Sequence, residues 1–230
     1  MVMITNTAAA APITRSLFIF TVLYGGMVCI AGVLGAKQVS LGTLPVLGPL
    51  AVEAGIFPFL LLVVLGSTVS ELHGQETANK LVRYGFIPLL TAIALIWLVI
   101  QLPTDAGMYE PAKEAFPIIL GQSWRLMAAG VIAYGVSQFL NIYIFGKLRG
   151  ADTPDRKQGG VWLAARAAIA SALSQIVDTL IFITVSFYGV RPIGELLVGQ
   201  ATAKVVLSIV LVPVLITLLV TLGRRLDARA

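Results

Sequence analysis

An aspartate stands where the chain has almost no other charge. Asp178 follows Arg166 by twelve residues and precedes Arg191 by thirteen, and the run 167–190 carries no other charged side chain. If that run crosses a bilayer, the carboxylate lies near mid-membrane, where a charge costs about 3 kcal/mol even on lenient insertion scales. It must be paired, protonated, or turned toward a polar cavity. Ser171 and Gln175 precede it by seven and three residues on the same helical face, which extends the carboxylate into a polar stripe. Such a stripe either binds a polar solute or glues helices together through hydrogen bonds. Lys204 lies nine residues beyond Glu195 in the following apolar run, too deep for its stem to carry the charge easily to the surface. An Asp178–Lys204 ion pair would relieve both charges, whether it serves a ligand or structure alone.

A short motif repeats around this aspartate. SQFLNIYIF begins at Ser137 and SQIVDTLIF at Ser174; they share their first and last two residues, and Asn141 stands opposite Asp178. Gln138 is nine residues before Lys147, and Gln175 nine after Arg166. At about 1.5 Å per residue, both glutamines lie roughly 13 Å from the same membrane edge. Consecutive spans run in opposite directions, so the two copies form an inverted pair of the sort many transporters build around a midplane site. Glu71, in GSTVSELHG, ends another apolar run. A carboxylate in a last helical turn meets the negative end of the helix dipole, so Lys80, Arg83 or a ligand's donors should offset it, unless it simply sits in interfacial water. The single histidine, His73, reads as an interfacial bystander, though its titration range suits a proton relay. Arg125 and Arg166, at the ends of their runs, read as snorkelling anchors or as ligand contacts.

The elements that must position these groups are long and apolar. The chain is 58% hydrophobic and 12% charged, with a mean hydropathy of +0.94; a soluble domain carries about 25% charge. The stretches 16–36, 84–104 and 126–146 hold no charge, nor does the shorter 54–70, and 196–223 holds only Lys204 until its end. About 20 apolar residues cross a hydrocarbon core, and backbone in lipid must satisfy itself within each segment. The sequence thus predicts an all-α integral membrane protein, one transmembrane domain over 1–230. Its six helices fall near 16–36, 53–72, 80–102, 124–147, 162–189 and 195–222, with the inverted S-Q-x-x-[ND] repeat in the fourth and fifth spans. The first run is too long for a typical signal-peptide core, and Leu34 suits a cleavage site poorly.

Basic residues orient the bundle. Arg15, Lys80, Arg83, Lys147, Arg149, Arg156, Lys157, Arg224, Arg225 and Arg229 fall on one side, and Lys37, Lys113 and Arg191 on the other. That asymmetry places both termini in the cytoplasm. The net charge of +5 therefore reads as topology and contact with anionic lipid, not as nucleic-acid binding. The tail before Arg15 reads as disordered. The segment 38–52, broken by Gly42, Pro45, Gly48 and Pro49, reads as an outer loop or short re-entrant piece. An outer loop over 105–123 contains a short amphipathic stretch flanked by Pro111 and Pro117, and 150–160 (GADTPDRKQGG) reads as a polar, mobile linker. The lone Cys29 permits no internal disulfide. No phosphate loop, nucleophile elbow or zinc-ligand spacing occurs, so the sequence predicts neither enzyme, metal nor cofactor.

The same residues resemble a known family, the queuosine precursor transporters, also called the vitamin uptake transporter family. The likeness runs from AKQV at Ala36 to Pro213. GIFPF at Gly55 resembles a G-x-x-F-P opening of the second helix, and SELHG at Ser70 a T-E-x-Y-G signature. Arg125, Ala133-Tyr134 and Ser137-Gln138 follow. The most specific stretch, Arg166 with SQIVDTLIF, is similar to R-…-S-Q-x-x-D-T-x-x-F, and Lys204 with Pro213 to a closing K-…-P. Two positions depart from the pattern, since Ser67 and Asn141 stand where aspartates are usual. The resemblance implies a bacterial inner-membrane importer of a 7-deazaguanine, preQ0 or preQ1. Its substrate-binding set would be Asp178, Gln175, Gln138, Asn141, Glu71, Lys204, Ser67, Arg125 and Arg166. Carboxylates and amides complement the N–H and carbonyl edge of such a ring, and Tyr134, Phe139 or Phe182 could stack on it or simply pack the core. Beyond substrate and lipid, a homo-oligomer and coupling to protons or another ion are open. The rival functions are the substrate-binding component of an ATP-driven vitamin importer and an intramembrane protein that transports nothing.

Overall fold

The computed structural model describes residues 13–44, 48–122, 124–149, 160–190 and 192–228. Most of the amino-terminal tail, nearly all of the 150–160 linker, and Arg191 lie outside the described residues. Among the described residues seven helices follow in order: α1 (Arg15–Leu34), α2 (Ile56–His73), α3 (Gln75–Gln101), α4 (Glu110–Leu120), α5 (Trp124–Arg149), α6 (Gly160–Phe187) and α7 (Gly194–Asp227). All but α4 are long and apolar enough to cross a membrane. Thr14 opens α1 as an N-cap, its hydroxyl accepting from the Leu17 amide.

Apolarity marks the membrane rather than the helix, so two helices outrun the apolar stretches that announced them. α3 starts at Gln75 because Gly74, at φ 86°, turns the chain in one residue and Glu76 pairs with Lys80 one helical turn on. α7 continues through Arg224 and Arg225, cations suited to the negative end of a helix. The proline-bounded stretch of the third loop is the surface helix α4.

The segment 38–52 departs from the expected loop or re-entrant piece. It folds as an antiparallel hairpin of β1 (Gln38–Leu44) and β2 (Gly48–Glu53), with Gln38 opposite Glu53 at its base. Gly48 opens β2, but Pro49 lies inside that strand and Gly42 inside β1, where an irregularity between Ser40 and Thr43 absorbs its φ of 100°. Pro45 lies outside the described residues.

The shortest span is the most central. Leu60 and Val64 of α2 join Phe145, Ala167, Ala170, Val212 and Ile216 in one core. Leu62 and Leu65 join Phe20, Tyr24, Val82 and Ile142 in the other. A helix apolar all round can be buried all round, which explains why α2 shows no clear stripe. The outer surface is apolar as well: Ile87, Trp97, Val210 and Leu218 are all largely exposed, as lipid-facing side chains should be.

Candidate functional site

Serine, histidine and aspartate fix the start of α1 and the end of α7 to one face of the bundle, the termini face. The Ser16 amide and hydroxyl donate to Asp227 at 2.9 and 2.7 Å, and Ser16 Oγ lies 2.8 Å from His73 Nε2. His73 is therefore no bystander: it ties α2 to the start of α1 and the end of α7. The opposite face carries the hairpin and α4. From that hairpin face a cavity of about 500 Å³ descends between the ends of α1, α2, α3, α5 and α6.

Asp178 and Lys204 form its floor. Lys204 Nζ donates to Asp178 Oδ2 at 3.0 Å, and both side chains are under a tenth exposed. Ser137 Oγ lies 3.3 Å from Asp178 Oδ1 but 2.6 Å from the Ala133 carbonyl. One hydroxyl proton satisfies the nearer acceptor best, so Oδ1 keeps acceptor capacity toward the cavity. Two aromatic groups named from sequence line the walls, Tyr134 and Phe182; Phe139 packs in the core. Tyr134 is held by Tyr24 (hydroxyl to hydroxyl, 2.9 Å) and by an edge contact with Phe86 at 5.0 Å. The bare Cα of Gly85 makes room for both tyrosines. The Phe182 ring stands 6.0 Å from Lys204 Nζ. The floor thus offers an acceptor and a cation, and Tyr134, Phe182, Phe59 and Phe187 put aromatic rings on the walls.

Below the floor the bundle is sealed. The Ser137–Asp178 contact, with the Arg166 guanidinium 4.2 Å over the Phe145 ring, sets α5 and α6 antiparallel. Gln138 and Gln175 then stand within about 3 Å of one level. Both are fully buried, neither lines the cavity, and their side-chain amides have no partner among the described residues. Asn141 donates to Ser67 Oγ at 3.0 Å and to the Val63 carbonyl at 3.2 Å. Ser67 and Asn141, the two departures from the pattern that the resemblance implies, are thus in contact as a neutral pair. Two carboxylates there would repel one another unless protonated or bridged.

Glu71 takes its counter-charge from a residue expected elsewhere. Lys80 is occupied with Glu76 at 2.8 Å, and it is Arg166 Nη2 that bonds Glu71 Oε2. Arg166 is wholly buried, so it is no snorkelling anchor. Arg125 reaches the carbonyls of Val185 and Tyr188, placing a cation on the unpaired carbonyls that end α6; it does not line the cavity.

A family profile described as "Putative vitamin uptake transporter" matches residues 53–218, well over half of the chain. The chain belongs to the vitamin uptake transporter family. With its six apolar helices it is a multi-pass membrane protein. A Bacillus subtilis (strain 168) protein named "Probable queuosine precursor transporter" is 31% identical over 129 residues, which is 54% of this chain and 51% of that one. The chain thus matches about half the length of that relative. No solved structure matches it.

In this member of the vitamin uptake transporter family the cavity also recruits residues that sequence reasoning passed over. Glu53 and Gln38 reach it from the base of the hairpin, Gln122 from beyond α4, and Cys29 from α1. Gln200 Nε2 holds Glu53 Oε1 at 3.1 Å, and Gln122 Nε2 the Gly32 carbonyl at 2.9 Å. One signal was available: Glu53 is a carboxylate directly preceding an apolar run. The others carry none, because only the hairpin's pairing and the packing of α4 bring them to the mouth.

Proposed function

We propose that the protein imports a small, flat, hydrogen-bonding heterocycle of the 7-deazaguanine class, preQ0 or preQ1, across the bacterial inner membrane. Both termini lie in the cytoplasm on this reading, so the cavity faces outward. The observation that carries it is the cavity floor: a buried Asp178–Lys204 pair beneath aromatic walls, open to one face and sealed from the other. An ion pair with nothing to bind is an expensive way to hold two helices in lipid.

The solute enters between the hairpin and α4. Asp178 Oδ1 accepts from its N–H edge, Lys204 donates to its carbonyl, and Phe182 or Tyr134 covers a ring face. Lys204 neutralises Asp178, so the site meets an uncharged donor–acceptor edge without a net charge to compensate. The inverted S-Q-x-x-[ND] motifs on α5 and α6 supply matched halves that rock about this level. The protein acts as a carrier and not as a catalyst.

Uptake of radiolabelled preQ0 and preQ1 in cells lacking both synthesis and import tests this directly. Expression of the chain should restore accumulation, and Asp178→Asn should abolish it. Purified protein in liposomes should also move the solute unaided. Transport that appears only with a separate ATPase would favour a substrate-binding subunit, and none in either setting would defeat the proposal.

A further inference from the structure

The sealed half of the bundle holds polar groups that its packing leaves unused. Both amide atoms of Gln138 and of Gln175, the Asn141 carbonyl oxygen, and Arg166 Nε and Nη1 are buried without a partner among the described residues. In a bundle surrounded by lipid, side chains kept only for cohesion find partners on neighbouring helices, as Ser171 does with Ser208 at 3.1 Å. These do not. They also follow one another in depth. Gln175 stands about one helical turn below Asp178, and Arg166 about 18 Å below it at 1.5 Å per residue. By depth they form a column of successive levels between the cavity floor and the face that carries the Ser16–Asp227 clasp. Gly66 of α2 faces it, and a Cβ there would stand 3.8 Å from Gln138 Oε1.

We propose that this column is a second, inner binding station for the same flat, hydrogen-bonding solute, centred on Gln138 and Gln175 and closed toward the termini face by the Arg166–Glu71 pair. The inference rests on the transport reading and adds a second stop to it. A glutamine amide offers both a donor and an acceptor, so two of them match a lactam or aminopyrimidine edge without charge. The solute would pass from the charged outer station to a neutral inner one and leave once Arg166 and Glu71 part. Arg166 is suited to that release because one of its nitrogens holds Glu71 while two others are unpartnered and can re-pair as the helices move.

The test separates the stations by variant and by side of access. In the otherwise unaltered chain, Cys29 lines the outer cavity and reports on it: preQ0 added from the hairpin face should slow its reaction with an impermeant thiol reagent. Gln138→Leu with Gln175→Leu removes only partnerless amides, so the fold should tolerate it. This variant should keep preQ0 protection of Cys29 within about twofold and lose uptake by about tenfold or more. Uptake within twofold of the parent chain would overturn the inner station and leave transport standing, and lost protection would place the glutamines in the outer site instead. A companion variant, Gln175→Cys with Cys29→Ser, should be labelled from the termini face, and faster when Glu71→Gln is added. Labelling that stays absent in both backgrounds would overturn the proposed exit. If the parent chain shows neither protection nor uptake, the transport reading fails first.

Discussion

The half of the bundle toward the hairpin is hollow, and the charged groups of its cavity are matched, although Ser186 Oγ and Gln200 Oε1 are not; the half toward the termini is solid, and many of its polar groups lack partners among the described residues. At the cavity floor Asp178 and Lys204 satisfy each other, and at the mouth Glu53 and Gln122 have partners. Below the floor two glutamines and most of one guanidinium have none among the described residues. A folded protein ordinarily shows the opposite, with the driest region the best satisfied. The difference fits the proposed carrier, in which the solid half is a closed half and not a resting core. It is packed like a core and furnished like a site, as a carrier's closed half would be.

The strongest way to break that comparison is to unmatch the hollow half. Asp178→Asn leaves Lys204 buried beside an uncharged amide and should cost about 3–5 kcal/mol of stability, in addition to transport. Adding Lys204→Met should recover most of the thermal stability in detergent but none of the uptake. A double variant that transports normally would reduce the pair to structure. Next in size is Glu71→Gln. It removes a charge-assisted bond at a site still partly open to solvent, so a loss of about 1.5–3 kcal/mol is expected in the same melting experiment. Unchanged melting would mean that the solid half is not fastened there.

Much of the bundle was legible because lipid leaves few choices. A run of about 20 apolar residues must be a helix, and Asp178 and Lys204, each nearly alone in such a run, announced each other. For Arg166 only the anchoring alternative fails, for a related reason. Its position near a helix end suggested a route to the surface, whereas Phe145 and Glu71 hold it inside, and nothing local to Arg166 names either. The hairpin was obscured because Gly and Pro ordinarily interrupt strands, whereas Gly42 and Pro49 lie inside β1 and β2. The mouth residues Gln38 and Gln122 were out of reach, since their meeting depends on contacts between segments far apart in the chain.

A smaller effect sharpens the contrast at the mouth. Arg125→Ala strips the cation from the last carbonyls of α6, next to the cavity-lining Phe187. About 1 kcal/mol of stability should go with it, and Cys29 should react faster from the hairpin face as the end of α6 loosens. A faster reaction from the termini face instead would mean that Arg125 braces the other half.

The smallest expected change tests whether the solid half is held shut at its edge. Ser16 is fully buried, with its hydroxyl between Asp227 at 2.7 Å and His73 at 2.8 Å. Because that hydroxyl donates its one proton to the carboxylate, the histidine must donate to Ser16 Oγ through Nε2–H. Ser16→Ala removes both links but spares the bond from the Ser16 amide to Asp227 Oδ1, so about 1 kcal/mol should be lost. In a carrier that samples two states, such a loss shifts their ratio by about fivefold toward the state lacking the contact. Labelling of Gln175→Cys from the termini face should rise by about that factor, provided the clasp forms only in the outward-facing state. Gln122→Ala, which unties a comparable bond at the open mouth, should leave that labelling unchanged. Equal responses to the two changes would mean that both halves loosen together, and the hollow and solid halves would then not be separately fastened.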